Sequence, residues 1–295
     1  MRRPYVGCQM LLLDCYELLP HAQLMTDERY THGHIESVLR SQRWRTAENS
    51  AAYLLPWLRA GMSLLDVGCG PGNITRGLFE RVAPGAVVGV DASSDVIAHA
   101  SAQHADVQLE WRVADAYDLP FDDNTFDVAH AHQVLQHLAD PVAALAEMRR
   151  VVKPGRVVAA RDSDYGAWTW YPEVPQLDRW LDLYRAVCRA NAGEPNAGRF
   201  LPAWARQAGL DDVTSSVTSW CFSTPSEVGW WGEIWAERVS TPPFSTRAIE
   251  LAMARPAELE EIAAAWRGWG ADPDAFLSVP STEILAKVDN ERGSG

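Results

Sequence analysis

The chain has 295 residues, 47% hydrophobic and 22% charged, so it can bury a sizeable core as an ordinary globular protein. A formal net charge of -13 excludes a nonspecific grip on nucleic-acid backbone, which needs patches of Lys and Arg, and no nucleic-acid partner is expected. The five cysteines, Cys8, Cys15, Cys69, Cys188 and Cys221, are scattered without ligand spacing and read as free thiols of a cytoplasmic protein with no metal site.

Residues 1–25 are expected to be disordered or a non-native extension, with Met25 as an alternative start. Arg2 and Arg3 precede an apolar run at 10–13, but Asp14 and Glu17 interrupt it and no small-residue cleavage site follows. Neither a signal peptide nor a membrane span is expected. The segment 26–60 carries Tyr30-Thr31-His32-Gly33-His34, a predicted helix at 35–40 and a second from Thr46 through 60. Tyr53, Leu54, Trp57 and Leu58 give that second helix an apolar face. His32 and His34 have no further spaced ligands, so no metal is assigned to them.

Residues 64–72 read Leu-Leu-Asp-Val-Gly-Cys-Gly-Pro-Gly, a short buried strand at 64–67 that must hand over to a helix at 74–81. Glycines let the backbone turn and approach a ligand where a Cβ would clash, and the helix start aims its amides at that ligand. A dinucleotide loop places its third glycine one residue later, where Asn73 stands. Asp66 also repels a pyrophosphate but attracts an ammonium or a sulfonium, and S-adenosyl-L-methionine carries both. Cys69 needs only to be small there and reads as a spacer. With an acidic residue followed by Gly-x-Gly-x-Gly, the chain resembles the class I S-adenosylmethionine-dependent methyltransferases.

The likeness continues in order through Ala-Val-Val-Gly-Val-Asp at 86–91, a third strand at 109–116 and a fourth within 121–132. The lead-in Leu-Pro-Phe-Asp-Asp-Asn-Thr-Phe-Asp at 119–127, then Gln133 to Leu138 and a helix at 141–152, are similar to the ubiquinone and menaquinone C-methyltransferases. The match covers roughly 45–165 and departs at Arg156, where the family has a second glycine. It implies a Rossmann-like α/β fold: a seven-stranded, mostly parallel sheet with flanking helices and a helical substrate cap. The cofactor core is then 61–165, with 26–60 as a helical lid carrying Tyr30 and His34. The implied cofactor residues are Asp66, Gly68, Cys69, Gly70, Gly72 and Asn73 at the loop, Asp91 and Ala92 at the ribose, Ala114, Asp115 and Ala116 at the adenine, with Tyr30 from the lid and His132. His132, ending the fourth strand beside the family's methyl position, is the first candidate for a general base or substrate contact. Gln133, Asp162, Asp164, Tyr165 and Trp168 are further substrate candidates, while His137 is expected to pack or cap.

Past the fifth strand at 156–161, a helical insertion at 166–211, with a helix at 174–192, reads as the substrate cap. The remainder, 212–295, supplies the last strands and C-terminal helices, starting with a Thr/Ser/Val-rich antiparallel strand at 212–222. Most of the 13 tryptophans lie in this second half, among them Trp170, Trp180, Trp230, Trp231, Trp235, Trp266 and Trp269. Such rings either fill the core or wall a substrate pocket that excludes water. The expected activity is in-line transfer of a methyl group to an O or C atom of a small apolar or aromatic metabolite, the one partner the sequence assigns. The alternative is a noncatalytic S-adenosylmethionine-binding or scaffold protein. An NAD-dependent reductase is disfavoured by Asp66, the glycine spacing and the lack of a Tyr-x-x-x-Lys pair.

Overall fold

The strand, glycine loop and helix read from the sequence open the sheet in a computed structural model, which describes residues 29–31 and 36–289. The expectations for 1–25 and for His32 and His34 lie outside the described residues. Helix α1 (Glu36–Arg43) and the single turn α2 (Ala47–Ser50) come first. Thr46 caps α2, its hydroxyl accepting from the Asn49 amide at 3.3 Å while the Asn49 side chain accepts from the Thr46 amide at 2.8 Å. The helix predicted through residue 60 nevertheless stops at Ser50. Pro56 has no amide to continue it and disfavours helical backbone at Leu55, so only a 3-10 turn, Leu55–Trp57, follows. Leu54 and Leu58 are still buried, whereas Trp57 stays 43% exposed and lies 5.7 Å from the Lys287 ammonium.

Strands β1 (Leu64–Val67), β2 (Val87–Asp91), β3 (Glu110–Val113), β4 (Phe126–His132) and β5 (Val152–Ser163) form the parallel part of the sheet. Leu64 sits opposite Val87 on one side and Val128 on the other, and Val128 opposite Val157. Helices α3 (Asn73–Val82), α4 (Ser94–Gln103) and α5 (Pro141–Val151) connect these strands and cover the sheet. Every residue of β1 and β4 is buried, as a parallel strand covered on both faces requires.

Strand β6 (Thr169–Tyr171) and helices α6 (Pro175–Ala190) and α7 (Ala197–Gln207) follow, then β7 (Asp212–Phe222), helices α8 (Pro225–Ser240), α9 (Phe244–Glu250) and α10 (Pro256–Gly270), and β8 (Phe276–Lys287). The order is β3-β2-β1-β4-β5-β8, with β8 antiparallel between β5 and β7 and with β6 along its first residues. The sheet thus has eight strands where seven are expected, the addition being the three-residue β6. A larger helical block than the one at 166–211, formed by α8, α9 and α10, is inserted between the last two long strands. It packs with α6 around Trp180, Trp235 and Trp266, whose rings meet at 4.5 Å (Trp180 to Trp235) and 4.9 Å (Trp180 to Trp266) between centroids. No helix among the described residues is long and apolar enough to cross a membrane.

Candidate functional site

The chain turns from β1 into α3 through Gly68, Gly70 and Gly72, all at positive φ. A Cβ on Gly68 would stand 2.3 Å from a Val134 methyl carbon, so only glycine fits. Around Gly70 the nearest atom to such a Cβ is the Gln42 Oε1 at 3.9 Å, which leaves the backbone open to a ligand. Gly72 packs under the Trp111 ring and is not on the cavity wall.

Three carboxylates converge on one cavity of about 410 Å³ at the carboxyl ends of the strands, where ligands of open α/β sheets sit. Asp91, ending β2, accepts from the Gly70 amide at 3.2 Å and from the Ser93 amide at 3.0 Å, which fixes the loop to the strand. Asp115, just past β3, accepts from the Tyr117 amide at 3.0 Å. Asp66 is buried with both oxygens engaged, one to His130 Nδ1 at 2.7 Å and one to the Thr75 hydroxyl at 2.5 Å. It therefore ties β1, β4 and α3 together and offers a neighbouring ligand its charge more than a free oxygen. Sequence reasoning missed His130 and Thr75 because neither belongs to the glycine motif. Gly68, Cys69, Gly70, Asn73, Ala92, Ala114, Ala116 and Tyr30 also line the cavity. Burial, then the charges of Asp66 and Asp91, push the Cys69 thiol well up, so it stays protonated.

On the far side His132, Gln133, Tyr165 and Trp168 line the same cavity, and Asp162 does not. Asp162 is buried and turned to the backbone, accepting from the Gln136 amide at 3.2 Å. Burial raises its carboxyl from 3.8 to about 7 against the pull of that amide. Asp164 caps the turn Tyr165–Ala167 and pairs with Arg199 at 2.7 Å, also away from the cavity wall. His132 is buried, and neither ring nitrogen has a hydrogen-bond partner among the described residues. Burial, then the charge of Arg161, holds its pKa well below the ordinary 6.5, so the imidazole is neutral. Gln133 sits at φ 53, a left-handed backbone uncommon outside glycine, with its amide donating to the Arg161 carbonyl at 2.7 Å. His137 reaches the cavity rather than only packing: its ring meets Tyr30 edge-on at 4.8 Å, and burial lowers it to about 3.

The wall includes residues that sequence reasoning did not assign to the site, chiefly Gln42, Arg45, Gln136, Trp220 and Arg238. One signal was available for Arg238, since Trp231, Trp235 and Arg238 are spaced as one face of α8. Trp231 and Trp235 join Trp168 and Trp220 on the wall, so four indoles face the cavity while Trp180 and Trp266 fill the core behind them. Among the described residues Cys69, Cys188 and Cys221 are free thiols, and no group of three or more His, Cys, Asp or Glu could hold a metal ion.

Residues 65–160 match the model of a methyltransferase domain family. Across 277 residues the chain is 33% identical to an uncharacterized methyltransferase of Schizosaccharomyces pombe, covering 90% of this chain and 98% of the relative. It is 36% identical over 131 residues to the 2-phytyl-1,4-naphtoquinone methyltransferase of Nostoc punctiforme, 43% of this chain and 54% of that one. Among solved structures, phosphoethanolamine N-methyltransferase 2 of Haemonchus contortus, in complex with phosphomonomethylethanolamine and S-adenosylhomocysteine, has a similar fold. The TM-score is 0.52 at 19% identity, covering 82% of this chain and 53% of that one.

Proposed function

The chain belongs to the class I S-adenosylmethionine-dependent methyltransferases, and from that premise we propose that it methylates an O or C atom of a small, aromatic or apolar metabolite. One observation carries the reading: a single cavity runs from the glycine loop and its carboxylates to a wall of four indoles, Trp168, Trp220, Trp231 and Trp235. The naphthoquinone in the name of the Nostoc relative supports a flat ring in that space.

The residues present fit the cofactor. Gly70 leaves its backbone accessible, Asp91, held by two amides, would accept from the ribose hydroxyls, and Asp115 would accept from the adenine amino group. Bound there, S-adenosylmethionine supplies an electrophilic methyl group on a sulfonium. What the chain adds is positioning, on the order of 7 to 11 kcal/mol for well-oriented reactants, and a wall of rings that keeps water out. His132 contacts the acceptor as a neutral imidazole, able to accept a hydrogen bond from it, while burial weakens it as a base.

Calorimetry of the full chain with S-adenosylhomocysteine, followed by a mass-spectrometric screen of aromatic metabolites, tests the proposal. The expected result is cofactor-product binding and O- or C-methylated rings. Turnover confined to aliphatic amines would overturn the acceptor assignment.

A further inference from the structure

Two guanidinium groups stand on the far wall of the cavity with no carboxylate partner among the described residues. Arg45 follows α1 and Arg238 belongs to α8, and both line the cavity. Arg238 is buried and donates to the Ser37 carbonyl at 3.1 Å and to the Ser41 hydroxyl. Its Nε has no partner among the described residues. The Arg45 side chain makes no hydrogen bond among them, and its Nε is buried. Each group also lies over an indole: Arg45 is 5.5 Å from the Trp220 ring and Arg238 5.0 Å from the Trp235 ring. Stacking on a ring face orients a guanidinium while leaving its N–H edge free to donate.

This contrasts with the treatment of arginines elsewhere in the chain. Arg161, as buried as any, is paired with Glu283, while Arg150, Arg199, Arg40 and Arg267 each have a carboxylate. Acids are not scarce, with 39 Asp and Glu against 26 Lys and Arg. Yet the cavity's own acids, Asp66, Asp91 and Asp115, sit at the strand ends with other partners. The buried Asp162, whose charge bears on Arg45, spends an oxygen on the Gln136 amide and titrates only at about 7. Two cations drawn from water, Arg238 buried and Arg45 half-buried, are costly without a counter-ion among the described residues, and burial accordingly lowers Arg45 and brings Arg238 down to about 10. A planar anion between them removes that cost, since a carboxylate matches the guanidinium fork.

We infer that the acceptor is an aromatic carboxylate, its ring against the indoles and its carboxylate held by Arg45 and Arg238. The inference rests on the methyltransferase reading above and names the substrate class of that same cavity. The second source of a carboxylate is the amino-acid end of the cofactor itself, and the experiment separates the two.

The test uses the full chain saturated with S-adenosylhomocysteine, titrated with 1-hydroxy-2-naphthoate and with its neutral isostere 1-hydroxy-2-naphthamide, read by calorimetry and tryptophan fluorescence. The acid should bind at least about tenfold more tightly than the amide, the usual scale of hydrogen bonds to a charged group. In Arg45→Met that preference should fall to less than about threefold, and Arg45→Lys should restore part of it. Equal affinity for acid and amide in the wild type, or no binding of the acid at millimolar concentration, overturns the inference while leaving the cofactor reading intact, and needs no variant to fold. If Arg45→Met instead weakens S-adenosylhomocysteine but not 5′-methylthioadenosine, which lacks the amino-acid end, the arginines serve the cofactor and the inference is overturned. Failure of the wild type to bind S-adenosylhomocysteine at all would sink the reading beneath it.

Discussion

Asp162 links the cavity's architecture to a measurable pH dependence of stability. Its carboxyl is wholly buried, accepts from the Gln136 amide, and is raised from 3.8 to about 7 by burial. Between those two values the folded chain holds a proton that the unfolded chain has lost. The stabilisation is therefore fully present below about pH 4 and is lost as pH rises through about 7. Each pH unit in that window costs about 1.4 kcal/mol, so between pH 5 and 8 the site removes about 3 kcal/mol of stability. Asp162→Asn keeps the carbonyl oxygen that accepts from Gln136 and cannot ionise. Urea-unfolding free energies of the two proteins, each at pH 5 and at pH 8, isolate the group. The variant should gain on the wild type by about 3 kcal/mol across that interval. Parallel pH dependences, differing by less than about 0.5 kcal/mol, would mean that Asp162 is already ionised in the fold at pH 5 and would refute the reasoning.

Three further substitutions probe the loop and His132. Gly68→Ala meets a Val134 methyl carbon at 2.3 Å on a left-handed backbone and should destabilise the fold by about 2 kcal/mol or more, whereas Gly70→Ala has open space and should cost stability about half that while weakening S-adenosylhomocysteine at least as much. Thermal melts and calorimetry check the pair, and a reversed order of stabilities counts against the geometry. His132→Ala should lower turnover about tenfold, the scale of a lost hydrogen bond to the acceptor, while cofactor binding persists. Because burial keeps the wild-type imidazole well below its ordinary 6.5, it stays neutral from pH 6 upward, and the wild-type rate should show no inflection there. An inflection near 6.5 that disappears in the variant would show an imidazole exposed enough to titrate normally.

The half of the cavity around the glycine loop was legible because its parts are local. Asp66 lies one residue before a strand end and Asp91 and Asp115 at or just past one, so finding the strand places the carboxylate. Strand β8 was harder to delimit, since Pro280 interrupts its run and Glu283, buried to pair with Arg161, breaks its apolar pattern. Asp162 and Tyr165 are neighbours in sequence but not in role. Asp162, still in β5, turns its carboxylate to the backbone, and only past the strand's end, at Ser163, does the chain reach the cavity with Tyr165 and Trp168. No local rule predicts which side of that turn faces a ligand. The tryptophan spacing on α8 announced a buried face, but what that face looks onto depends on where the insertion between β7 and β8 folds back.

That insertion explains why nothing in the sequence paired Arg238 with Arg45. They are far apart in sequence and meet only because α8 lies over α1, where Arg238 donates to Ser37 and Ser41 and Arg40 pairs with Glu237. The consequence is a division of labour along one short stretch. Gln42, near the end of α1, approaches the open face of Gly70, and three residues later Arg45 stacks on Trp220. The same stretch therefore touches the glycine loop with one side chain and the indole wall with the other. Arg238 donates on that interface only to a carbonyl and a hydroxyl, neither of which cancels its charge, so these bonds tie α8 to α1 while the guanidinium's field still reaches the cavity that it lines.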